Sequence, residues 1–455
     1  MPQKTLNENR MGTMPVGRLL FSVSAPTMLS MLVQALYNVL DSVFVSYVSE
    51  EALTAVTMAF PLQNLMIAIS VGLGVGMNSY LSRSLGAKNQ KNVNSAAMHG
   101  ILITWMISIA FCVFGLFGSG AYMRSQTDNP QIIQYGTEYL MWVCGIPFGV
   151  FNQVIMERLL QSTGKTVYSM ITQITGSVTD AFLDYALVFG FWFFPRMGVA
   201  GAAVSSVIGQ CTAALVGLYF NLRKNPEIQF SFKGFRLRLD VLKQIFTVGL
   251  PSMLLSSLSS VMTYGMNLVL VKFNETAVAF FGAYLKLQSF VFLPVFGLNH
   301  GVVPIVAYNY GAKKKERIIK TIKLAMAAAF CLMLIGVLVL ELMPARLLSV
   351  FNASEGLLEI GVPALRIIAA HLLTASFSII IIAVFQAFGM GLPGLIVSFT
   401  RQIVLLLPAA YLLSLTGVID NVWWCFLIAE TGSLTMSLLL FRREYGRRIR
   451  GLAGE

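Results

Sequence analysis

Gly76-Met77-Asn78-Ser79-Tyr80-Leu81-Ser82-Arg83-Ser84-Leu85-Gly86-Ala87-Lys88 and Gly301-Val302-Val303-Pro304-Ile305-Val306-Ala307-Tyr308-Asn309-Tyr310-Gly311-Ala312-Lys313 lie 225 residues apart and end on the same Gly-Ala-Lys. Working outward, the same offset sets Pro26 on Pro251, Gln63 on Gln288, Gly72 on Gly297, Gln161 on Gln386 and Gly164 on Gly389. The chain is two copies of one unit. Because each copy is strongly apolar, the duplication has the form that membrane transporters use to enclose a central site between two halves.

Of 455 residues, 56% are hydrophobic and 11% charged, and the mean hydropathy is +0.74. So few polar groups cannot cover a soluble globule, and the chain belongs in a lipid bilayer. Its first apolar stretch, 16 to 48, is far longer than the roughly 7 to 15 residues of a signal-peptide core, so it is expected as a retained helix. The net charge of +12 raises a nucleic-acid partner, but the Lys and Arg fall in short connections between apolar stretches, which is where membrane topology puts them. No nucleic acid is expected. The five cysteines, Cys112, Cys144, Cys211, Cys331 and Cys425, sit inside apolar segments without Cys-x-x-Cys spacing, which points to packing and away from disulfides or metal.

Stretches of at least roughly 18 apolar residues predict twelve membrane spans: 16–48, 52–82, 94–118, 134–157, 167–194, 198–221, 244–271, 276–308, 323–343, 357–387, 394–415 and 421–441. Several are longer than a crossing needs, so tilted or bent helices are expected. With the N-terminus inside, the outer loops hold only Arg124, Arg196, Lys272 and Arg346, and the spans hold Lys286, Arg366 and Arg401, with Arg18 and Lys323 at inner span ends. The rest of the 32 Lys and Arg lie inside. Both termini are therefore expected in the cytoplasm of a multi-pass inner (plasma) membrane protein. Residues 222–243 form a basic linker between an N-terminal lobe, 1–221, and a C-terminal lobe, 244–455. Six spans per lobe means both enter from one side, so the fold class is all-α integral membrane, with two six-helix lobes related by a pseudo-twofold axis along the membrane normal.

Ionisable side chains inside a span cost several kcal/mol unless they meet water, a partner or a ligand. Asp41 on the first span and Asp184 on the fifth fall at similar depth, about 10 Å below the outer surface at roughly 1.5 Å per residue. Asp180 and Asp184, four apart, share a helix face. Tyr37, Asn38, Asn152, Gln153 and Thr175 complete an expected polar nest. Three close carboxylates in low dielectric cannot all ionise cheaply, so a proton-binding site follows, with Na+ at Asp41, Asp180 and Asp184 as the alternative. Glu157 and Arg158 are expected at the inner boundary of the fourth span. By the repeat, Asp41 falls on Met266, Asp180 on Leu405 and Asp184 on Ala409, so the acid cluster is not duplicated. The second lobe carries instead Lys286, Gln288, His371, Arg401, Gln402 and Glu430. There a Glu430 pair with Lys286 or Arg401, and a structural His371, stand open beside a substrate role. Met and Phe side chains are expected to line a cavity that accepts varied apolar ligands.

The Gly301–Lys313 run, its Gly76–Lys88 counterpart, Pro26, Asp41, Gly164, the Asp184 stretch and Gly198-Val199-Ala200-Gly201-Ala202 together resemble the multidrug and toxic compound extrusion (MATE) transporters of the bacterial and archaeal branch. The resemblance covers nearly the whole chain. It implies a twelve-helix antiporter, expelling cationic amphipathic organic substrates in exchange for H+ or Na+, without other cofactors and as a monomer. It assigns ion coupling to Asp41 and Asp184, and where relatives commonly carry Asn this chain has Asp180. Na+-type relatives use acids on the seventh and tenth helices, where this chain offers Tyr264, Asn267 and His371. Two other functions compete. A lipid-linked oligosaccharide flippase of similar fold would want a strongly cationic cavity, for which Lys286, Arg366 and Arg401 are available. An intramembrane enzyme would want a His-Glu-x-x-His, Gly-x-Ser-x-Gly or phosphate-loop motif, and none occurs.

Overall fold

The structure is a computed structural model that describes residues 8–191, 194–230, 235–351 and 354–452, apart from the side chains of Asn38, Ser42 and Ser46. In the first lobe a short turn, α1 (Arg10–Thr13), leads to α2 (Val16–Ser46), α3 (Glu50–Gly86), α4 (Gln90–Arg124), α5 (Pro130–Val143), α6 (Phe148–Ser162), α7 (Thr166–Phe189) and α8 (Val199–Lys224). The second lobe holds α9 (Leu239–Leu270), α10 (Glu275–Gly311), α11 (Lys315–Leu342), α12 (Pro344–Ser349), α13 (Glu355–Ala369), α14 (His371–Ala387), α15 (Gly391–Phe399), α16 (Leu407–Ser414), α17 (Ile419–Val422) and α18 (Trp424–Glu444). A π-helical segment, Thr400–Leu406, joins α15 to α16, and another, Tyr445–Ile449, follows α18.

Among the described residues, nine helices are long and apolar enough to cross a membrane, and the bent pairs α5–α6 and α13–α14 bring the number to eleven. The twelfth expected span is α7, long enough at 24 residues but diluted by Asp180, Asp184, Gln173 and four threonines. The helix least suited to lipid is the one that carries the acids, and it is covered by α8 and α2. Several helices run past their apolar stretches, as α3 does from Glu50 to Gly86, because the backbone stays helical after the sequence turns polar at the membrane edge.

Two expected spans are broken. The 134–157 stretch bends by 44° between α5 and α6, where Pro147 lacks an N–H to continue the helical ladder. The repeat-related 357–387 stretch bends by 46° at Ala370, and there the His371 Nδ1–H donates to the Ile368 carbonyl at 2.6 Å. Helix caps also follow the duplication: Ser49 and Asn274 accept from Ala52 and Ala277, and Asn129 and Ser354 accept two or three residues on.

The lobes meet through α3 against α9 and α2 against α10. In lipid no hydrophobic force drives such an interface, so small residues that let backbones approach must supply packing. A Cβ added to Gly72 would lie 2.4 Å from Met253 Cγ, and one on Gly297 would lie 2.5 Å from Met28 Cα, the repeat-related contact. Gly76 faces Ile245 and Gly249 as Gly301 faces Ser24. Gly86 lies against Tyr308 and Gly311 against Arg83, so the two Gly-Ala-Lys runs seal one side of the molecule across the pseudo-twofold axis.

That side carries both ends of the described chain. Asn9 Nδ2 donates to Thr163 of the first lobe and to Glu227 of the linker, while Asn309 and Arg317 of the second lobe donate to the Met11 carbonyl, so residues 9–14 strap the lobes together. Arg448 reaches Tyr310 there from the other end of the chain.

Candidate functional site

Asp180 and Asp184 project from one face of α7 toward α2 and α8, and they are 3% and 1% exposed. Asp41 of α2 comes within hydrogen-bonding reach of Asp184, and Asp180 within reach of Tyr37. Ser205 of α8 donates to Asp184 Oδ1 at 2.9 Å, and Tyr37 Oη lies 3.1 Å from Ser206 Oγ. Gly209 makes the approach possible, since a Cβ there would sit 2.6 Å from Asp180 Cβ. The equal depth expected of Asp41 and Asp184 is thus a direct contact. Asp41 Oδ1 and Asp180 Oδ1 are buried without a hydrogen-bond partner. No Lys or Arg forms an ion pair with any of the three acids among the described residues.

Tyr37 and Asp180 line a cavity of about 130 Å³ inside the first lobe, with Gln34, Gln63, Gln153 and Gln173 on its walls. Tyr139, fully buried beside the acids, donates to Gln63 at 3.4 Å. Glu157 and Arg158, expected at the inner boundary, line this cavity instead. Gln153 donates to Glu157 and Gln173 at 3.1 Å each, and Arg158 donates to Gln161 at 2.8 Å and meets His300 of α10. The cavity therefore has an acidic end at Asp180 and a cation at the other.

Arg158 and His300 also line a central cavity of about 400 Å³ between the lobes, which continues past Phe296 and Arg401 into a third cavity of about 360 Å³ in the second lobe. Gln288, His371, Gln402 and Glu430 line this last one, with Phe292, Phe296, Phe426 and Met262 as its apolar walls. Gln63 and Gln288, repeat mates, occupy corresponding walls, as do Tyr37 and Met262. The Glu430 partner is Arg401, whose Nη1 donates to Oε2 at 3.3 Å. Glu430 Oε1 and Gln402 Oε1 stay without a partner. Arg401 and Gln402 sit in the π-helical segment, whose wider turn changes the facing of side chains relative to a plain α-helix.

Three expected site residues point elsewhere. Asn152 accepts from Trp105 and donates to the Phe148 carbonyl, off the helix face that Val150, Gln153, Val154 and Glu157 turn to the cavity. Thr175 donates to the Ile171 carbonyl of its own helix, one residue off the face that Asp180 and Asp184 share. Lys286 is exposed, with its ammonium 6.0 Å from the Phe351 ring. The Asn38 side chain lies outside the described residues. Among the described residues no group of three His, Cys, Asp or Glu converges to hold a metal ion.

The profile of the MatE family matches residues 26–186 and again 251–412, one match in each copy of the repeat. The chain belongs to the MatE family. Among its relatives are the multidrug export proteins MepA of Staphylococcus saprophyticus, 27% identical over 92% of this chain and 91% of that protein, and of Staphylococcus aureus strain N315, 25% identical over 94% and 93%. A solved outward-facing conformation of a multidrug resistance MATE family transporter superposes with a TM-score of 0.91 at 23% identity, over 98% of this chain and all of that one. MatE proteins are membrane transporters and not enzymes, which settles the intramembrane-enzyme alternative. The twelve helices in two lobes are the MatE fold.

Within this MatE chain, several residues of the site carried no sequence signal that singled them out. Ser205 and Ser206 look like ordinary small residues on a helix rich in Ala and Gly. Arg158 and His300 are 142 positions apart, and only the packing of two lobes joins them.

Proposed function

We propose that this protein exports cationic amphipathic organic compounds in exchange for H+ by alternating access of its two lobes, with Asp41 and Asp184 as the coupling acids and Asp180 as their modulator. The observation that carries the proposal is the buried Asp41–Asp184 contact. Two carboxylates cannot share a hydrogen bond in low dielectric unless a proton or another cation lies between them. With no Lys or Arg paired to them, a proton is the simplest occupant, and an incoming organic cation replaces its charge. The multidrug export names of relatives of matching length support the substrate class. On the orientation that the basic loops imply, the sealed side is cytoplasmic and the cavity is poised toward the outside.

Arg158 and Arg401 line the central cavity, but the other cations that would favour the flippase alternative are elsewhere or paired. Lys286 and Arg366 lie on the surface, Arg401 is paired with Glu430, and Arg158 neighbours Glu157.

Proteoliposomes test the coupling ion. Efflux of a fluorescent organic cation should follow an imposed pH gradient at fixed Na+. Asp180→Asn should retain much of that response, because the Asp41–Asp184 contact does not need it. Efflux that follows a Na+ gradient and ignores pH would overturn the H+ assignment.

A further inference from the structure

The glycine contacts that seal the terminus side obey the repeat, whereas a polar cross-lobe contact beside the central cavity does not. Arg158 of α6 reaches His300 of α10, Nη1 to Nδ1 at 2.9 Å, with Nη2 3.5 Å from Nε2. Their repeat counterparts are Ala383 and Val75, which offer no polar group. The pair lines both the first-lobe cavity and the central cavity, so it stands where the open space ends and the sealed interface begins. Gly74 makes room for it, since a Cβ there would sit 2.6 Å from Arg158 Cγ, and Gln161 anchors the guanidinium.

A guanidinium has only donors and keeps its charge, so the imidazole can take this bond only through a nitrogen with a free lone pair. His300 is therefore neutral whenever the contact is made. A proton on that nitrogen turns an acceptor into a donor and sets two cations face to face in low dielectric. We propose that His300 is a second proton-binding site, separate from the acid cluster, and that its protonation breaks the Arg158 contact and frees the lobes to part on the terminus side.

The titratable and charged groups lining the two cavities around the pair are Tyr37, Glu157, Asp180 and Arg401. Glu157 neighbours Arg158 and keeps that cation in the first lobe when the imidazole charges, so the rupture falls between the lobes. Helices α2, α3, α9 and α14, which also pack on α10, present no Asp, Glu, Lys or Arg to these cavities among the described residues. The inference goes beyond the acid cluster and does not depend on it.

Spin labels at Lys91 and Glu316, exposed repeat mates on the terminus side, report the separation of the lobes. The measurement uses the full chain with its five cysteines replaced, reconstituted in liposomes. Acidification from about pH 8, through and below the ordinary imidazole range, should shift the population to longer separation. His300→Gln, which keeps an acceptor and cannot titrate, should stay short throughout. His300→Lys should be long throughout. Asp41→Asn and Asp184→Asn should keep the pH response even where they lose export. His300→Asn takes the place of the Gln variant if that one does not elute as a single species. Widening in His300→Gln equal to the unsubstituted protein overturns the proposal, and so does a response abolished by the Asp variants instead.

Discussion

Asp41→Asn and Asp184→Asn should each lower gradient-driven export by about tenfold or more, while leaving the protein folded and able to bind substrate. The amide keeps the size of the carboxyl group and loses its titration, so the exchange of charge stops without a cavity or an overpacked core. At Asp184 the Ser205 hydroxyl can still donate to the amide oxygen, which keeps α8 in place. The check is initial efflux rate in proteoliposomes under a fixed pH gradient, with thermal stability measured beside it. Export at the unsubstituted rate by both variants would remove these acids from coupling.

Gly86→Val and Gly311→Val should hold the terminus side apart and arrest the cycle. A Cβ on Gly86 would lie 1.9 Å from the Tyr308 carbonyl oxygen, and one on Gly311 would lie 2.0 Å from that of Arg83. Backbone atoms cannot yield as a flexible side chain does, and overpacking of this kind costs about 1–3 kcal/mol or more. Because the contact lies between lobes, each lobe can keep its own packing while the interface opens. Gly282→Ala and Gly356→Ala, where an added Cβ meets nothing within 4 Å, serve as controls with little effect. Efflux and the Lys91–Glu316 separation measure the result. Closed, active Gly86→Val and Gly311→Val proteins would show that the seal is not required.

The duplication was legible because lobes that pack on one another through glycines must repeat those glycines at one offset, and Gly72, Gly76 and Gly86 do so. The acids were legible because a carboxylate in an apolar stretch has few reasons to be there. Their depth could be counted in helical rise, which is why Asp41 and Asp184 were expected side by side. Facing was harder. A long apolar stretch gives no marker of which side meets lipid, so Asn152, off the cavity face of its helix, and Thr175, one step round from the acid face, were placed in a cavity they do not line. The π-helical turn at Arg401 and Gln402 has no compositional signature. The Arg158–His300 contact needs both lobes assembled, and neither residue alone distinguishes a gate from a helix end.

Proton release on substrate binding tests the exchange most directly. Tetraphenylphosphonium, a cation that carries no titratable proton, is added to the purified protein in weakly buffered solution while pH is recorded. The account predicts that binding releases about one proton per bound cation, as competing charges on the acid cluster require, and that Asp41→Asn and Asp184→Asn release markedly less at equal occupancy. Binding without release, or equal release from both variants, would contradict it.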